Sequence, residues 1–196
     1  LLKTSILNRF CAPLCKALCH PSCEDMCGPE CDGQVFMHKL EESNLFCIAL
    51  DERHEWLRYH HLFQQLLQRM LESRYSTDEI ATLHDQACSW FEENGMIEDA
   101  FHHAMIGSGP EFAGKLLAHH RHELMNKEQW HRLGHLMDLL PRAVVENNPV
   151  LLIQDAWVLW NRMRILEMAK VLDQVESLLV PMPKESVTTK EMHGEV

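Results

Sequence analysis

The chain has 196 residues, 46% of them hydrophobic and 24% charged, which is typical of a folded globular protein and excludes a disordered one. Its formal net charge is −11 and its Lys and Arg residues are scattered, which argues against direct contact with nucleic acid. No apolar run approaches the roughly 18 residues that span a bilayer, so we expect no membrane association. The sequence begins without Met or a signal peptide, and we interpret it as a segment of a longer protein.

The N-terminal stretch has a cysteine at every fourth position from residue 11 to residue 31. A step of four residues turns an α-helix by about 400°, so successive side chains drift by about 40°. Cβ atoms at i and i+4 are also too far apart for a disulfide. Because Pro21 and Pro29 interrupt any helix, we expect only Cys11 and Cys15 in one. A helical chain of this size favours unligated thiols in a reducing cytoplasm.

A metal site is the alternative interpretation of the loop that ends this stretch. The last three cysteines and a neighbouring histidine would supply four ligands to zinc or another soft metal, although zinc sites usually have more closely spaced cysteines. These residues are His20, Cys23, Cys27 and Cys31. The function that such a site would imply is a metal- or redox-responsive switch.

The region after this loop predicts a helix, a two-strand hairpin and another helix. QVFMHKLEESN has helical apolar periodicity. LFCIAL and WLRYH are short apolar and aromatic segments joined by the polar turn DERHE, which predicts two strands. HHLFQQLLQRMLESRY has a broad apolar face and predicts the second helix.

From residue 76 onward the pattern predicts helices only. STDE is a capping box, with Ser76 as the N-cap and Glu79 reaching back to it. Pro110 and Pro149 each fit the first position of a later helix. Apolar stripes at helical spacing follow each of these starts and predict helices that pack against one another.

Helix pairs in this region begin near residues 76, 110 and 149. The spacing of roughly 34 to 40 residues is expected of stacked helical hairpins of the tetratricopeptide type. We therefore predict a repeat domain over residues 76–181. Since PMPKESVTTKEMHGEV has few apolar residues, we expect a mobile tail over residues 182–196.

Two motifs that might carry chemistry have simpler interpretations. GPEFAGKL is similar to a phosphate-binding loop, but Leu116 stands where Ser or Thr must bind magnesium, and a helix precedes it. We therefore predict a helix-to-helix turn there. His122, His131 and His135 with Glu123 could form a zinc site on facing helices, but surface histidines are the favoured interpretation.

No nucleophile–base arrangement is evident in the sequence. Cys88 lies on the inward side of a predicted helix and Cys47 lies in a predicted strand, where both are expected to act as small core residues. Adjacent carboxylates such as Glu92-Glu93 are typical of solvated helix faces. We therefore predict that this chain is not an enzyme.

Three segments carry a family resemblance. TSILNRFCAPLCKALC, LEESNLFCIALDERHEWLRYHHLFQQLLQ and LHDQACSWFEENGMIEDAFHHAM resemble, in order and spacing, the middle of MalT-like regulators. These are large ATP-binding members of the LuxR class of bacterial transcription activators. The resemblance covers roughly residues 1 to 160, and LDERHEWLRYHHLF is its most specific part.

The resemblance implies a fold and a domain order. It implies a STAND ATPase domain and then a winged-helix domain, which would correspond to residues 1–75 here. A superhelix of repeats that senses an inducer and a DNA-binding helix-turn-helix would follow. The expected fold class is therefore mainly α: a winged-helix domain with a small two-strand wing, followed by antiparallel, tetratricopeptide-like helical hairpins.

The resemblance also implies candidate site residues. In related switch ATPases a winged-helix histidine contacts bound ADP, and the matching positions here are Tyr59, His60 and His61. The alternative is that Tyr59 and His60 only pack the wing and cap the following helix. ATP or ADP is implied for the parent protein, with no cofactor within this chain.

Taken together, these features predict a cytoplasmic regulatory fragment of an ATP-dependent LuxR-class activator. Its expected partners are the ATPase and DNA-binding domains of its own chain, together with a small-molecule inducer or a regulatory protein on the repeats. The alternatives are a stand-alone helical-repeat adaptor and the metal- or redox-responsive switch.

Overall fold

The computed structural model describes residues 1–19, 32–43, 46–127 and 129–179. The chain divides into two compact units, Leu1–Gly107 and Ser108–Val196. Both units are mainly helical where they are described, and the first also contains a two-stranded sheet. No helix in the described ranges is both long and apolar enough to cross a bilayer.

The first unit begins with helices that flank a β-hairpin. Its elements are a 3-10 turn (Lys3–Ile6), α1 (Ala12–Cys19), α2 (Gly33–Glu42), β1 (Cys47–Ala49), β2 (Leu57–Tyr59), α3 (His61–Glu72), α4 (Thr77–Glu93) and α5 (Ile97–Ile106). The two strands pair antiparallel, with Cys47 opposite Tyr59 and Ala49 opposite Leu57. Phe10 extends the hairpin, because its N–H and carbonyl both bond with Leu57, at 2.8 and 2.9 Å.

The core of this winged-helix region lies around α1, which packs against α2 and α4, and around the pairing of Phe10 with Leu57. Leu7, Phe10, Leu14, Leu18 and Leu57 are fully buried there. Burying an aliphatic or aromatic side chain of this size contributes about 1.5–3 kcal/mol. These apolar contacts fix the position of β2 and therefore of the residues that follow it.

The face of α3 is only partly covered. Leu67 and Leu71 are buried, as the apolar pattern predicts. Leu62, Leu66 and Met70, which belong to the same broad predicted face, are exposed. The apolar periodicity of α3 therefore spans a buried stripe and an uncovered one.

Helices α4 and α5 form a tight antiparallel hairpin. The predicted capping box is present: the Glu79 N–H donates to Ser76 Oγ at 3.3 Å, and the Ser76 N–H donates to the Glu79 carboxylate at 2.8 Å. Gly95 ends the turn region with φ +69°, a conformation that favours glycine. Ala87 and Ala100 are fully buried, and their small side chains permit close helix approach.

The second unit is built from six helices within the described residues. They are α6 (Pro110–His119), α7 (Arg121–Asn126), α8 (Trp130–Leu139), α9 (Arg142–Glu146), α10 (Pro149–Asn161) and α11 (Ile165–Leu179). Helix α10 packs against α6, α8 and α9 on one side and against α11 on another. Its start is capped by Asn148, whose side-chain oxygen accepts from the N–H groups of Val150 and Leu151.

The predicted fold class is confirmed: the chain is mainly α, with a winged helix, a two-strand antiparallel wing and helical hairpins after it. The short helices α7 and α9 were not predicted. The domain limits at residues 75 and 181 and the tetratricopeptide type of the hairpins stay predictions. The predicted mobile tail, residues 182–196, lies outside the described residues.

Candidate functional site

Tyr59 lies at the inner end of the wing, where β2 meets α3. It is buried, and its hydroxyl shares a 2.7 Å hydrogen bond with Thr4 Oγ1. Its ring packs on Phe10 and Phe63, with centroids 4.6 and 5.8 Å apart. This geometry fits the packing role for Tyr59, because its ring and hydroxyl are already engaged within the domain.

His60 and His61 mark the start of α3. His60 is the N-cap residue and makes no side-chain cap hydrogen bond, while its N–H donates to the Phe46 carbonyl at 2.6 Å. The two imidazole rings lie 4.6 Å apart, with His60 half-buried and His61 exposed. The site therefore combines two imidazoles with the N-terminus of a twelve-residue helix, whose dipole favours an anionic group.

The wing loop is closed by Asp51. Its carboxylate accepts from the N–H groups of Glu55 and Trp56, at 2.9 and 2.8 Å. The hydrogen bond from the Glu55 backbone is the main cause of a lowered Asp51 pKa, and the bond from Trp56 adds to it. An ionised Asp51 therefore holds Trp56 in place at the base of the wing.

Arg9 connects the wing with the α4–α5 hairpin. Its guanidinium lies over the Trp56 ring, 4.9 Å from the centroid, and donates to the Asp99 carboxylate of α5 at 2.7 Å. The Trp56 ring in turn lies 6.3 Å from the Trp90 ring of α4. We call the four side chains Arg9, Trp56, Trp90 and Asp99 the Arg9 bridge.

A pair of buried histidines joins α4 to α5. The Nδ1 atoms of His84 and His103 lie 2.9 Å apart, and the side chains are only 6% and 2% exposed. The Phe91 ring stacks on His103 at 5.4 Å. The pKa of His84 is lowered to about 4, mainly by burial and in part by the nearby His102. The pKa of His103 is lowered to about 3, mainly by burial and in part by His84 and His102.

The histidine pair must therefore be neutral at ordinary pH, since one ring donates a proton that the other accepts. Sequence reasoning missed this pair. The only available signal was its position: His84 falls one residue after Leu83 and three before Ala87 on the apolar stripe of α4.

The alternative zinc ligands of the second unit are not brought together. Among the described residues no three or more His, Cys, Asp or Glu side chains are placed to hold a metal ion. Glu123 instead pairs with Lys127 at 2.7 Å and lies 3.5 Å from His120. His131 and His135 are both exposed.

The structure also bears on two sequence interpretations that do not involve a metal. Cys88 is buried, and burial together with the neighbouring Glu92 and Asp85 carboxylates raises its pKa to about 11, so it is a core thiol and a poor nucleophile. The predicted helix-to-helix turn lies between Ile106, where α5 ends, and Pro110, where α6 starts, so GPEFAGKL from Pro110 onward is the first part of α6.

His20, Cys23, Cys27 and Cys31 lie outside the described residues. Cys11, directly before α1, and Cys15, within it, are both buried, and burial raises the pKa of Cys11.

Comparison with known proteins agrees with the geometry of the first unit. Residues 1–79 match the MalT winged helix domain family. The chain is 28% identical over 157 residues to the serine/threonine-protein kinase PknK of Mycobacterium tuberculosis strain H37Rv, covering 80% of this chain and 13% of PknK. It is 26% identical over 145 residues to the HTH-type transcriptional regulator MalT of Klebsiella pneumoniae strain 342, covering 74% of this chain and 16% of that protein.

These matches extend past the winged helix into the following helices. The chain nevertheless spans less than a fifth of the length of either relative. The resemblance identified in the sequence is thereby confirmed: this chain is similar to a segment of MalT-like proteins, and residues 1–79 match the MalT winged helix domain.

Proposed function

We propose that this chain is a regulatory segment of an ATP-dependent, LuxR-class transcription activator. Its winged helix couples the nucleotide state of an ATPase domain to an inducer-sensing, tetratricopeptide-like repeat array. The observation that supports this most is the Arg9 bridge, because it ties the wing to the first helical hairpin through an ion pair and a cation–π contact. A shift of the wing would therefore be passed directly to α5.

The nucleotide-sensing role falls to His60 and His61. An imidazole at a helix N-terminus can donate to a phosphate oxygen, and the free N–H groups of the first turn add to the attraction for an anion. Tyr59 acts by position: buried against Phe10, it fixes the end of β2 and so the direction in which His60 points. The ADP or ATP itself belongs to the ATPase domain of the parent protein.

Catalysis and promoter binding likewise belong to other parts of the parent protein, which we place in the cytoplasm. The segment's partners are then the ATPase and DNA-binding domains of its own chain, and an inducer or a regulatory protein on the repeats. A stand-alone adaptor is the alternative, and it would have no nucleotide to retain.

A second candidate is the regulation of a protein kinase. It is favoured by the similarity to PknK, which is a serine/threonine-protein kinase, over 80% of this chain. A segment that matches both a transcriptional regulator and a kinase would be a transferable switch module, whose output depends on the effector domain of the parent protein. In both cases the chain transmits a signal and does not itself catalyse a reaction.

Nucleotide sensing is tested by His60→Ala and His61→Ala in the full-length protein, with bound ADP extracted and quantified after gel filtration. We expect reduced ADP retention in at least one variant. His38→Ala is the matched control, because His38 is an exposed histidine on α2 that pairs with the exposed Glu42. Unchanged retention in both test variants would refute the sensing role.

Coupling through the Arg9 bridge is tested by hydrogen exchange of the α5 amides in ADP-loaded and ATP-loaded protein. We expect a nucleotide-dependent difference that Arg9→Ala removes. Arg58→Ala, an exposed arginine on β2, is the control and should leave the difference intact. An equal response in Arg9→Ala and wild type would refute coupling through this bridge.

A further inference from the structure

The second unit contains a polar pocket of about 340 Å³, to which helices α8, α9, α10 and α11 all contribute. Two of its lining side chains are apolar, Leu159 and Val171, and both are buried. The other lining side chains are polar or charged, and none of them belongs to the nucleotide-sensing site. We call this the charged pocket, and its polar lining consists of Asp138, Arg142, Asp155, Arg162, Arg164, Glu167, Lys170 and Gln174.

Two ion pairs between helices hold guanidinium groups at the charged pocket. Arg142 of α9 donates to the Asp155 carboxylate of α10 at 3.0 Å, and Asp155 is only 15% exposed. Arg162, directly after α10, donates to both carboxylate oxygens of Asp138 on α8, at 3.3 and 2.9 Å. Helix α8 leaves room for this guanidinium at Gly134, where a Cβ would lie 2.6 Å from Arg162 Nη2. Both guanidinium groups are therefore fixed by neighbouring elements.

Helix α11 supplies a third guanidinium group and two further polar side chains. Arg164, directly before α11, donates from Nε to the Glu167 carboxylate of the first turn at 2.7 Å. Lys170 and Gln174 line the pocket one helical turn apart. Within the part of the chain that the structure describes, neither side chain has a hydrogen bond or an ion-pair partner. An ammonium group and an amide are therefore available to a ligand.

The charged pocket has more hydrogen-bond donors than its own carboxylates use. A guanidinium group has five N–H donors, and each of the three arginines uses two of them in the bonds described. One of the two from Arg142 goes to Glu146, which does not line the pocket. Every carboxylate that lines the pocket is thus paired with an arginine, while N–H donors remain on the arginines and on Lys170.

The charge of the lining also favours an anion. Four lining side chains are cationic and three are anionic, although the whole chain has a formal net charge of −11. Helix α11 begins at the pocket, so the positive end of its dipole adds to this local field. Guanidinium and ammonium groups form strong, charge-assisted hydrogen bonds with carboxylate and phosphate oxygens. Because the ion pairs already position the arginines, less side-chain freedom is lost when a ligand binds.

We propose that the charged pocket binds a small organic anion, whose carboxylate or phosphate group is held by Lys170 and by the remaining N–H donors of Arg162 and Arg164. Its carbon skeleton would contact Leu159 and Val171. The volume of about 340 Å³ is within the range of small-molecule sites. This inference rests on the proposed function only in giving the inducer of the second unit a chemical class, and the binding itself requires no nucleotide.

The test is two-dimensional NMR of the ¹⁵N-labelled 196-residue chain, titrated separately with citrate and with glycerol 2-phosphate. The reference titrations use uncharged glycerol and sodium chloride at equal ionic strength. We expect at least one of the two organic anions to cause saturable shifts of the amides around the pocket, and the tighter binder identifies the anionic group that the pocket prefers. The absence of saturable shifts would overturn the proposal. So would shifts that sodium chloride reproduces, because salt would then only be screening the ion pairs.

Lys170→Gln tests the site itself, because it removes a positive charge and breaks no contact that the structure describes. An unchanged melting temperature would show that the fold is retained, and we expect the dissociation constant of the anion to rise about tenfold or more. Lys115→Gln is the matched control, because Lys115 is an exposed lysine on α6 that does not line the pocket. An equal rise in both variants, or none in Lys170→Gln, would contradict the proposal. ADP retention in the histidine variants is measured on the full-length protein, so the two proposals can fail separately.

Discussion

The buried histidine pair predicts a steep acid sensitivity of the α4–α5 hairpin. The pKa values of His84 and His103 lie well below their ordinary value of 6.5, because burial disfavours the charged rings. Between about pH 6.5 and pH 4 the unfolded chain therefore binds up to two more protons than the folded one. The stabilisation of the folded state is complete above pH 6.5 and is lost as the pH falls through this window.

The size of the effect follows from proton linkage. Each extra proton on the unfolded chain lowers the free energy of unfolding by about 1.4 kcal/mol per pH unit. With nearly two extra protons on the unfolded chain, the free energy of unfolding falls by about 2–3 kcal/mol per pH unit around pH 5.5, and by roughly 4 kcal/mol between pH 7 and pH 5. A domain of this size is stable by only about 5–15 kcal/mol, so the loss is easily measured.

The assay is urea denaturation at several pH values between 7 and 4.5, followed by circular dichroism. The comparison is with the double variant His84→Gln/His103→Gln, whose amides do not titrate, are similar in size and can bond to each other. Because the glutamines also change packing, we compare how steeply the free energy of unfolding depends on pH in the two proteins, and not its absolute value. His131→Gln/His135→Gln, which replaces two exposed histidines, should keep the wild-type slope. If wild type and His84→Gln/His103→Gln have the same slope, the buried pair does not carry the acid sensitivity.

Three further predictions concern local packing and are measured by denaturation at pH 7. Ser76→Ala removes the capping box of α4 and should lower the free energy of unfolding by about 1 kcal/mol. Ser89→Ala, at an exposed position inside the same helix, should lower it much less, and equal losses would contradict the capping role. Tyr59→Phe removes the buried hydrogen bond to Thr4 and should lower the free energy of unfolding by about 0.5–1.5 kcal/mol. A double-mutant cycle with Thr4→Val should show that the two substitutions are coupled, and additive effects would argue against the bond. Gly33→Ala places a Cβ against the Ala12 carbonyl oxygen, so α2 must move away from α1 at a cost of about 1–3 kcal/mol. The exposed Gln34→Ala is its control, and an unchanged free energy of unfolding in Gly33→Ala would show that the two helices are not so closely packed.

Local sequence signals predicted most elements of this fold. The capping box at Ser76 and the prolines at 110 and 149 set helix starts, because they satisfy or remove the free N–H groups of a first turn. The apolar segments around β1 and β2 predicted the wing. Helices α7 and α9 were not predicted, because six and five residues are too few to show an apolar stripe at helical spacing.

The contacts that matter for the candidate site were harder to predict. Arg9 and Asp99 are 90 residues apart, and no local pattern links an arginine before α1 to a carboxylate on α5. The buried histidines were not predicted for another reason. His84 and His103 are polar residues, which usually lie at the surface, yet here they form a hydrogen bond with each other across a hairpin. The three residues at the end of the wing were found through family resemblance, while their different exposures emerged only from the fold.

Cys88 can report transient opening of the packing around α4, because its thiol is buried and its pKa is raised. With a pKa of about 11 the thiol is hardly ionised at pH 7, so it reacts slowly with alkylating reagents. Because it is also buried, these reagents can reach it only when the packing around α4 opens. The labelling rate of Cys88 in the native protein therefore reports how often the packing around α4 opens. Measured with ADP and with ATP bound to the full-length protein, that rate would reveal a nucleotide signal arriving at this hairpin without any introduced probe.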